Sequence, residues 1–354
     1  MVLRSLELTD FRNFESRKLV FSSRNIFFTG ANGSGKSNLL ESIAFASLLR
    51  SFRGASPREM IRIGGREFRL QVMLESRIGN HRLQISEEIS GRRRLFINGE
   101  AIRKSSDFIR EFHTVVFAPE DREIVSGTSG CRRRFFDIMI SGVDGEYLQR
   151  LSRYHRALIQ RNRALKNAPH TASAFEEELA EQAPFIAAKR RHFAAVTGEK
   201  VAALLGEKGN FQIVYRTDSG ADSKEHRRIF EAKKESELRR QCTLCGPQLD
   251  EFEFFYNGKL LRTYGSTGQR RLIALLLKLA EFDILQSNSR APVVVLADDV
   301  TGELDESNLK LFLNNIAQAD QCFFTFAEPP GFSLPDSEYI AVAGGIEKRQ
   351  ASRV

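Results

Sequence analysis

An α/β fold built around a phosphate-binding loop, with a helical lobe inserted into it, is what this sequence predicts. Three observations predict it. Gly30-Ala31-Asn32-Gly33-Ser34-Gly35-Lys36-Ser37 fits G-x-x-x-x-G-K-[ST] and stands between a strand-like and a helix-like stretch. Pro292-Val293-Val294-Val295-Leu296-Ala297-Asp298-Asp299 is an apolar strand ending in two carboxylates. Between them lies a long interruption whose middle reads as arginine-bearing helices.

Each part has a physical reason. Glycines let the loop backbone bend and bring its N–H groups to phosphate oxygens. Lys36 reaches the β and γ phosphates, and the Ser37 hydroxyl suits Mg²⁺. Asn38 opens the helix that follows, whose N-terminal dipole faces the same anion. That places the nucleotide on Gly30 to Asn38. The carboxylates sit at the C-terminal end of a buried strand, where α/β sheets bind ligands. Asp298 would hold Mg²⁺, directly or through water, and Asp299 would orient or activate the attacking water.

The 354 residues suffice for a large core or two domains, and 42% hydrophobic content is ordinary for a soluble chain. A net charge of +8 favours a polyanionic partner, nucleic acid before membrane. Met1 to Glu7 alternates like a strand, unlike a signal peptide. The longest apolar run, Leu272 to Leu277, stops at Lys278 and is too short for a bilayer. Four cysteines are too few for a disulfide framework, so a reducing, cytoplasmic setting without membrane is expected.

In chain order, Leu3 to Val20 reads as a hairpin feeding the loop strand Arg24–Thr29. The helix after Ser37 carries Leu39, Leu40, Ile43, Ala46 and Leu49 on one broad face. Residues 61 to 117 alternate as β structure, with Gly79-Asn80 and Asn98-Gly99 as turn signals. The Arg92-Arg93-Arg94 run either touches phosphates or is a solvated turn. Tyr147 to Lys166 reads as a long helix whose apolar side bears Leu148, Leu151, Leu158 and Leu165. Its other side carries Arg150, Arg153, Arg156, Arg161, Arg163 and Lys166 with hardly an acid, as nucleic-acid contact or as a plain solvated face. A second helical region runs from Ser173 to about Glu207, with Pro184 as a kink or new start, and completes a short antiparallel hairpin. Residues 217 to 240 are so charged that a loop or linker is expected. Cys242-Thr243-Leu244-Cys245 is a lone C-x-x-C with only His226 near, which leaves incidental thiols as the default over zinc. Ser266-Thr267-Gly268-Gln269 caps the apolar helix Leu272–Leu285 and makes a second anion-binding helix start. Gln321 to Phe326 reads as one more core strand.

These parts in this order resemble the head domain of ABC-type ATPases, and within that superfamily the RecF family of bacterial repair and replication proteins. The resemblance rests on Asp10-Phe11-Arg12-Asn13-Phe14, the loop with Asn32, Leu39-Leu40-Glu41-Ser42-Ile43 and Arg50-Ser51-Phe52-Arg53. It continues through Val116-Phe117-Ala118-Pro119-Glu120-Asp121, Arg132 to Asp137, Arg161-Asn162, Ser266 to Arg271, and Asp298-Asp299-Val300 with Glu303-Leu304-Asp305. It implies a mixed-sheet ATPase lobe over 1–122 and 246–354 and a helical lobe over 123–245. It also implies ATP and Mg²⁺ as cofactors and a head-to-tail dimer around two ATP molecules. Ser266, Thr267, Gly268 and Gln269 of one copy would then complete the site built on Lys36 of the other. Sequence-independent DNA binding, gapped or double-stranded, is expected, with Arg150, Arg153, Arg156 and Arg161 as contacts. Partners of the RecR and RecO type, recombinase loading at gaps and slow hydrolysis complete the expectation. The alternative is a non-hydrolysing ATP-binding recruitment scaffold. Gly246-Pro247-Gln248-Leu249-Asp250-Glu251 departs from the family's G-P-H-R-D-D, and no His follows the last core strand.

Overall fold

Alternating apolar residues build the first sheet of the computed structural model, which describes residues 2–76, 79–289, 291–299, 304–343 and 346–350. The chain opens with β1 (Val2–Phe11), β2 (Phe14–Val20), β3 (Asn25–Thr29), α1 (Lys36–Leu48), α2 (Pro57–Met60) and β4 (Glu67–Ser76). It continues through β5 (Gly79–Glu88), β6 (Arg93–Ile97), β7 (Glu100–Ile102), α3 (Ser105–Ile109) and β8 (His113–Phe117). Six of these strands form an antiparallel sheet in the order β2-β1-β4-β5-β6-β7. Phe68, Leu70, Val72 and Leu74 of β4 are buried while Arg69 is exposed, as a two-residue period requires. Asn98 and Gly99, both at positive φ, join β6 to β7. Gly79-Asn80, expected as a turn, instead begins β5, because the ladder with β4 runs on to the Gly79–Ser76 pair.

The inserted part contains α4 (Arg122–Ser126), α5 (Ser129–Val143), α6 (Gly145–Asn167), α7 (Glu176–Leu205), β9 (Phe211–Arg216) and α8 (Ser223–Arg240). It ends with β10 (Glu251–Tyr256), β11 (Lys259–Leu260), α9 (Leu261–Tyr264) and α10 (Thr267–Asn288). The expected antiparallel hairpin is α6 with α7. Arg161 meets Glu176, Arg153 meets Glu178, and Lys189 meets Asp144, so the partners run in opposite directions. α7 continues through Pro184 without a break, packed against α5, α6 and α8 along a buried row that includes Leu179, Ala183, Ile186 and Ala187. The linker expected at 217–240 is corrected. Asp222 caps α8 through the Glu225 N–H, and His226, Phe230 and Glu237 are buried at helical spacing. Three anchors on one face suffice to hold a helix whose other positions are charged.

The chain returns through β12 (Val293–Asp298), α11 (Glu306–Ile316), β13 (Gln321–Phe326), β14 (Ser337–Ala343) and β15 (Ile346–Gln350). A second six-stranded sheet has the order β15-β14-β3-β13-β12-β8, parallel except for the β14–β15 pair. α1 packs on β8, β12 and β13 of this sheet and on β1 and β4 of the antiparallel one. Leu39 to Ser47 are therefore buried without interruption, where a single broad face was expected.

Contacts divide the chain into one unit of Met1–Asp121 with Phe282–Val354 and another of Arg122–Glu281. The expected return at 246 thus moves into α10, because β10 pairs with β9 along its whole length and keeps 251–256 with the helical unit. Among the described residues no helix is long and apolar enough to cross a membrane.

Candidate nucleotide site

The parallel register brings the predicted loop and acids to one edge. β13 lies between β3 and β12, with Phe326 opposite Thr29 and Thr325 opposite Asp298, so all three strands end level. The loop leaves β3 there. Gly35 has φ 105°, and a Cβ on it would stand 2.7 Å from Asn13 Nδ2 and 2.8 Å from Phe14 Cζ, so only glycine fits without displacement. Ala31, Asn32 and Gly33 are exposed. Lys36, 9% exposed, turns its Nζ back to donate to the Gly30 carbonyl at 2.6 Å and the Ala31 carbonyl at 2.9 Å. The Ser34 hydroxyl is buried with no hydrogen-bond partner among the described residues. A cradle of glycine backbone, an ammonium held among the described residues by carbonyls alone, and an orphaned hydroxyl suit a phosphate chain, whose oxygens would satisfy both donors.

At the acidic strand, Ser37 Oγ donates to Asp298 Oδ1 at 2.7 Å and joins the two predicted halves. Asp298 is 6% exposed, and the Thr325 hydroxyl donates to the same Oδ1 at 2.8 Å. Asp299 has φ 53°, an uncommon conformation for a residue with a side chain, and its N–H donates to Thr325 Oγ1 at 3.0 Å. Val300 and Glu303 lie outside the described residues. Among the described residues no group of three or more His, Cys, Asp or Glu gathers for a metal. One carboxylate and one hydroxyl, whose lone pairs stay available while it donates to Asp298, match Mg²⁺, which takes its remaining ligands from water and phosphate.

A supporting ring appears that motif reading did not single out as functional. Arg12, at φ 55°, forms a two-pronged pair with fully buried Glu41 of α1 at 2.7 and 2.8 Å. Ser51 Oγ also donates to Glu41. Arg53 Nη1 reaches Asn38 Oδ1 at 3.3 Å, Asn38 donates to Asn13 Oδ1 at 2.8 Å, and Asn13 donates to the Ser34 carbonyl at 3.4 Å. The charge-assisted Arg12–Glu41 bonds fix the β1–β2 turn against α1, and through Asn13 that turn borders the loop.

Residues 2–329 match the RecF/RecN/SMC N terminal domain family. The DNA replication and repair protein RecF of Shouchella clausii is 32% identical over 99% of this chain and 100% of its own length. The chain belongs to the RecF family. RecF of Heliobacterium modesticaldum is 33% identical, covering 100% of this chain and 99% of its own. A solved structure described as the recombination mediator protein RecF-ATP in the RecFOR pathway superposes with a TM-score of 0.91 at 27% identity, over 99% of this chain and 97% of that one. An Smc head bound to the ScpA winged-helix domain shares the fold alone, at a TM-score of 0.52 and 15% identity. The chain has the ABC-type ATPase head fold with a helical insertion.

The predicted second helix start, Ser266 to Gln269, opens α10. Ser266 Oγ accepts from the Gln269 N–H at 3.2 Å, and Gln269 Oε1 accepts from the Ser266 N–H at 2.8 Å, a reciprocal cap. Ser266, Thr267 and Gly268 are exposed, and a Cβ on Gly268 would meet nothing within 4 Å. They belong to the helical unit, whereas Lys36 and Asp298 belong to the other.

The four expected DNA-contacting arginines separate. Arg161 is 2% exposed and sits between Glu176 and Glu237, each at 2.7 Å, so it is corrected to an internal ion-pair residue. Arg153 is held by both oxygens of Glu178, and Arg150 by Glu146 while lying over the Phe185 ring. The acids missing from α6 are supplied largely by α7, which inspection of α6 alone could not reveal. Arg156 is exposed and donates only to the Ser152 carbonyl among the described residues. Cys245 is buried, burial pushes its thiol up to about 12, and the C-x-x-C takes part in no metal cluster among the described residues.

Proposed function

We propose that this protein is an ATP-operated dimer of bacterial recombinational repair, in which two copies close head to tail around two nucleotides on DNA and slow hydrolysis releases them. The observation that carries it is the 2.7 Å bond from Ser37 to Asp298, which joins the phosphate loop to the acidic strand. The solved structure described as the recombination mediator protein RecF-ATP in the RecFOR pathway supports ATP as the nucleotide and RecO- and RecR-type proteins as partners; gapped DNA as the place of action is part of the proposal.

In this reading Lys36 exchanges the Gly30 and Ala31 carbonyls for phosphate oxygens, and Ser34 gains its missing acceptor. Mg²⁺, when bound, would neutralise developing charge on the phosphates. Ser37 and Asp298 would hold it, and Asp299 would orient the water. Ser266 and the open helix start at Gly268 would come from the second copy. Alanine favours a helix over glycine by about 1 kcal/mol, so a glycine with empty space around it suits close approach by a ligand. Two-fold symmetry then makes both sites at once.

Size measurement with and without ATP and a gapped duplex tests this. Asp299→Asn is expected to accumulate ATP-bound dimer with hydrolysis lowered about a hundredfold, whereas Lys36→Ala stays monomeric. Absence of any ATP-dependent dimer in Asp299→Asn would sink the clamp. A wild-type dimer with no hydrolysis at all would favour the recruitment scaffold.

A further inference from the structure

We infer that Thr325, on the strand beside the acidic one, is a positioning residue that sets the metal-binding carboxylate and the water-orienting acid together. This rests on the nucleotide reading above and extends it to a residue outside both motifs. Thr325 stands opposite Asp298 in the β12–β13 register and is 2% exposed. Its one hydroxyl has two jobs: the proton goes to Asp298 Oδ1 at 2.8 Å, and a lone pair accepts the Asp299 N–H at 3.0 Å.

Chemistry explains why a hydroxyl is wanted there. Asp298 Oδ1 takes one proton from Ser37 and one from Thr325. The Ser37 bond can loosen as that hydroxyl engages a cation. The Thr325 bond keeps the carboxylate aimed regardless. The Asp299 N–H, meanwhile, is held where the chain takes φ 53°, a conformation a non-glycine residue keeps only when its surroundings fix it. Phe323, Phe324 and Phe326 around Thr325 show that a purely apolar side chain would suit the strand. Valine matches threonine in shape but can neither donate nor accept, so it isolates the hydroxyl.

The test compares wild type, Thr325→Val and Thr325→Ser by fluorescence titration of a labelled ATP analogue without and with increasing Mg²⁺, followed by hydrolysis. Thr325→Val is expected to leave metal-free nucleotide affinity within about twofold. It should raise the Mg²⁺ half-saturation about tenfold, the scale of losing a bond behind a metal ligand. Hydrolysis should fall at least as much. Thr325→Ser restores both to within about threefold. A wild-type Mg²⁺ midpoint in Thr325→Val overturns the inference while leaving the nucleotide site standing. Equal damage in Thr325→Ser also overturns it, because packing of the methyl would then be what matters. A wild-type protein whose nucleotide binding and hydrolysis both ignore Mg²⁺ overturns this inference alone, whereas one that binds no nucleotide at all overturns the nucleotide reading and this inference with it.

Discussion

Two regions of this molecule bury positive charge, and they do it differently. In the helical unit the buried arginines Arg132, Arg161 and Arg190 face carboxylates. Arg190, 2% exposed, donates to Asp137 at 2.9 Å, to Asp250 at 2.8 Å and to the Pro247 carbonyl at 2.6 Å. Arg132, 3% exposed, meets Glu251 at 2.8 Å. At the sheet edge Lys36 is almost as buried, yet among the described residues it holds two neutral carbonyls and no carboxylate. The first pattern is neutralised by carboxylates and locks helices in place, although Arg161 Nε and Asp250 Oδ1 have no hydrogen-bond partner among the described residues. The second leaves an ammonium and a nearby hydroxyl short of an anion. Burial alone therefore does not separate structural from functional charge; the nature of the partner does.

The sharpest way to break that distinction is to remove one cation from each region. Arg190→Ala strands Asp250 and Asp137, and uncompensated buried carboxylates should destabilise the helical unit by about 3–5 kcal/mol. Lys36→Ala frees two carbonyls at an open loop and should change stability by less than about 1 kcal/mol. Urea unfolding, followed for each transition separately, checks both. Similar losses in the two variants would erase the contrast.

Protons probe the same difference. His226 is fully buried beside Phe230, with Nε2 unpartnered among the described residues. Desolvation lowers its imidazole to about 4; Asp218 opposes this, and Lys233 and Arg161 reinforce it. An unfolded histidine titrates near 6.5. Above that value both states are neutral and nothing is lost. As pH falls from 6.5 towards 4 only the unfolded chain binds the proton, so stability drops, by about 3 kcal/mol once below both values. His226→Asn keeps an acceptor oxygen in the place of Nδ1 for the Gly220 N–H but cannot titrate. Its stability loss between pH 7.5 and 5 should be smaller than wild type's by about 2 kcal/mol. An unchanged difference would place the acid sensitivity elsewhere.

How far this was legible in the sequence follows from the range of the interactions involved. The glycine loop and β12 act through local chemistry and periodicity, so Lys36, Ser37, Asp298 and the cap at Ser266 were readable without a fold. Thr325 was not, because its meaning comes from a register 27 residues away in sequence from Asp298. α8 was misread because composition counts charges and does not see that His226, Phe230 and Glu237 line one face. The boundary near 246 was misplaced because the pairing of β10 with β9 crosses the whole of α8. Arg161 looked like a surface cation because Glu176 and Glu237 arrive from two other helices.

That last misreading leads to the smallest expected effect and sharpens the comparison furthest. Once the acids of α6 itself, α7 and α8 are assigned, Arg156, Arg163 and Lys166 remain exposed on α6, with no carboxylate partner among the described residues. Their spacing of seven and three residues puts them along one side of the helix. Cations left unneutralised in this way suit phosphates, whereas Arg150 and Arg153 already have partners. Single alanine substitutions at Arg156, Arg163 and Lys166 should each weaken binding to a gapped duplex only a few-fold. Each should also lower the slope of log affinity against log salt by about one. Arg153→Ala should leave that slope unchanged, although it removes the same formal charge from the same helix. If the slope follows total charge and not the partnerless positions, α6 acts as a diffuse basic surface; if it moves only at 156, 163 and 166, the partner of a charge predicts its role outside the core as well as within it.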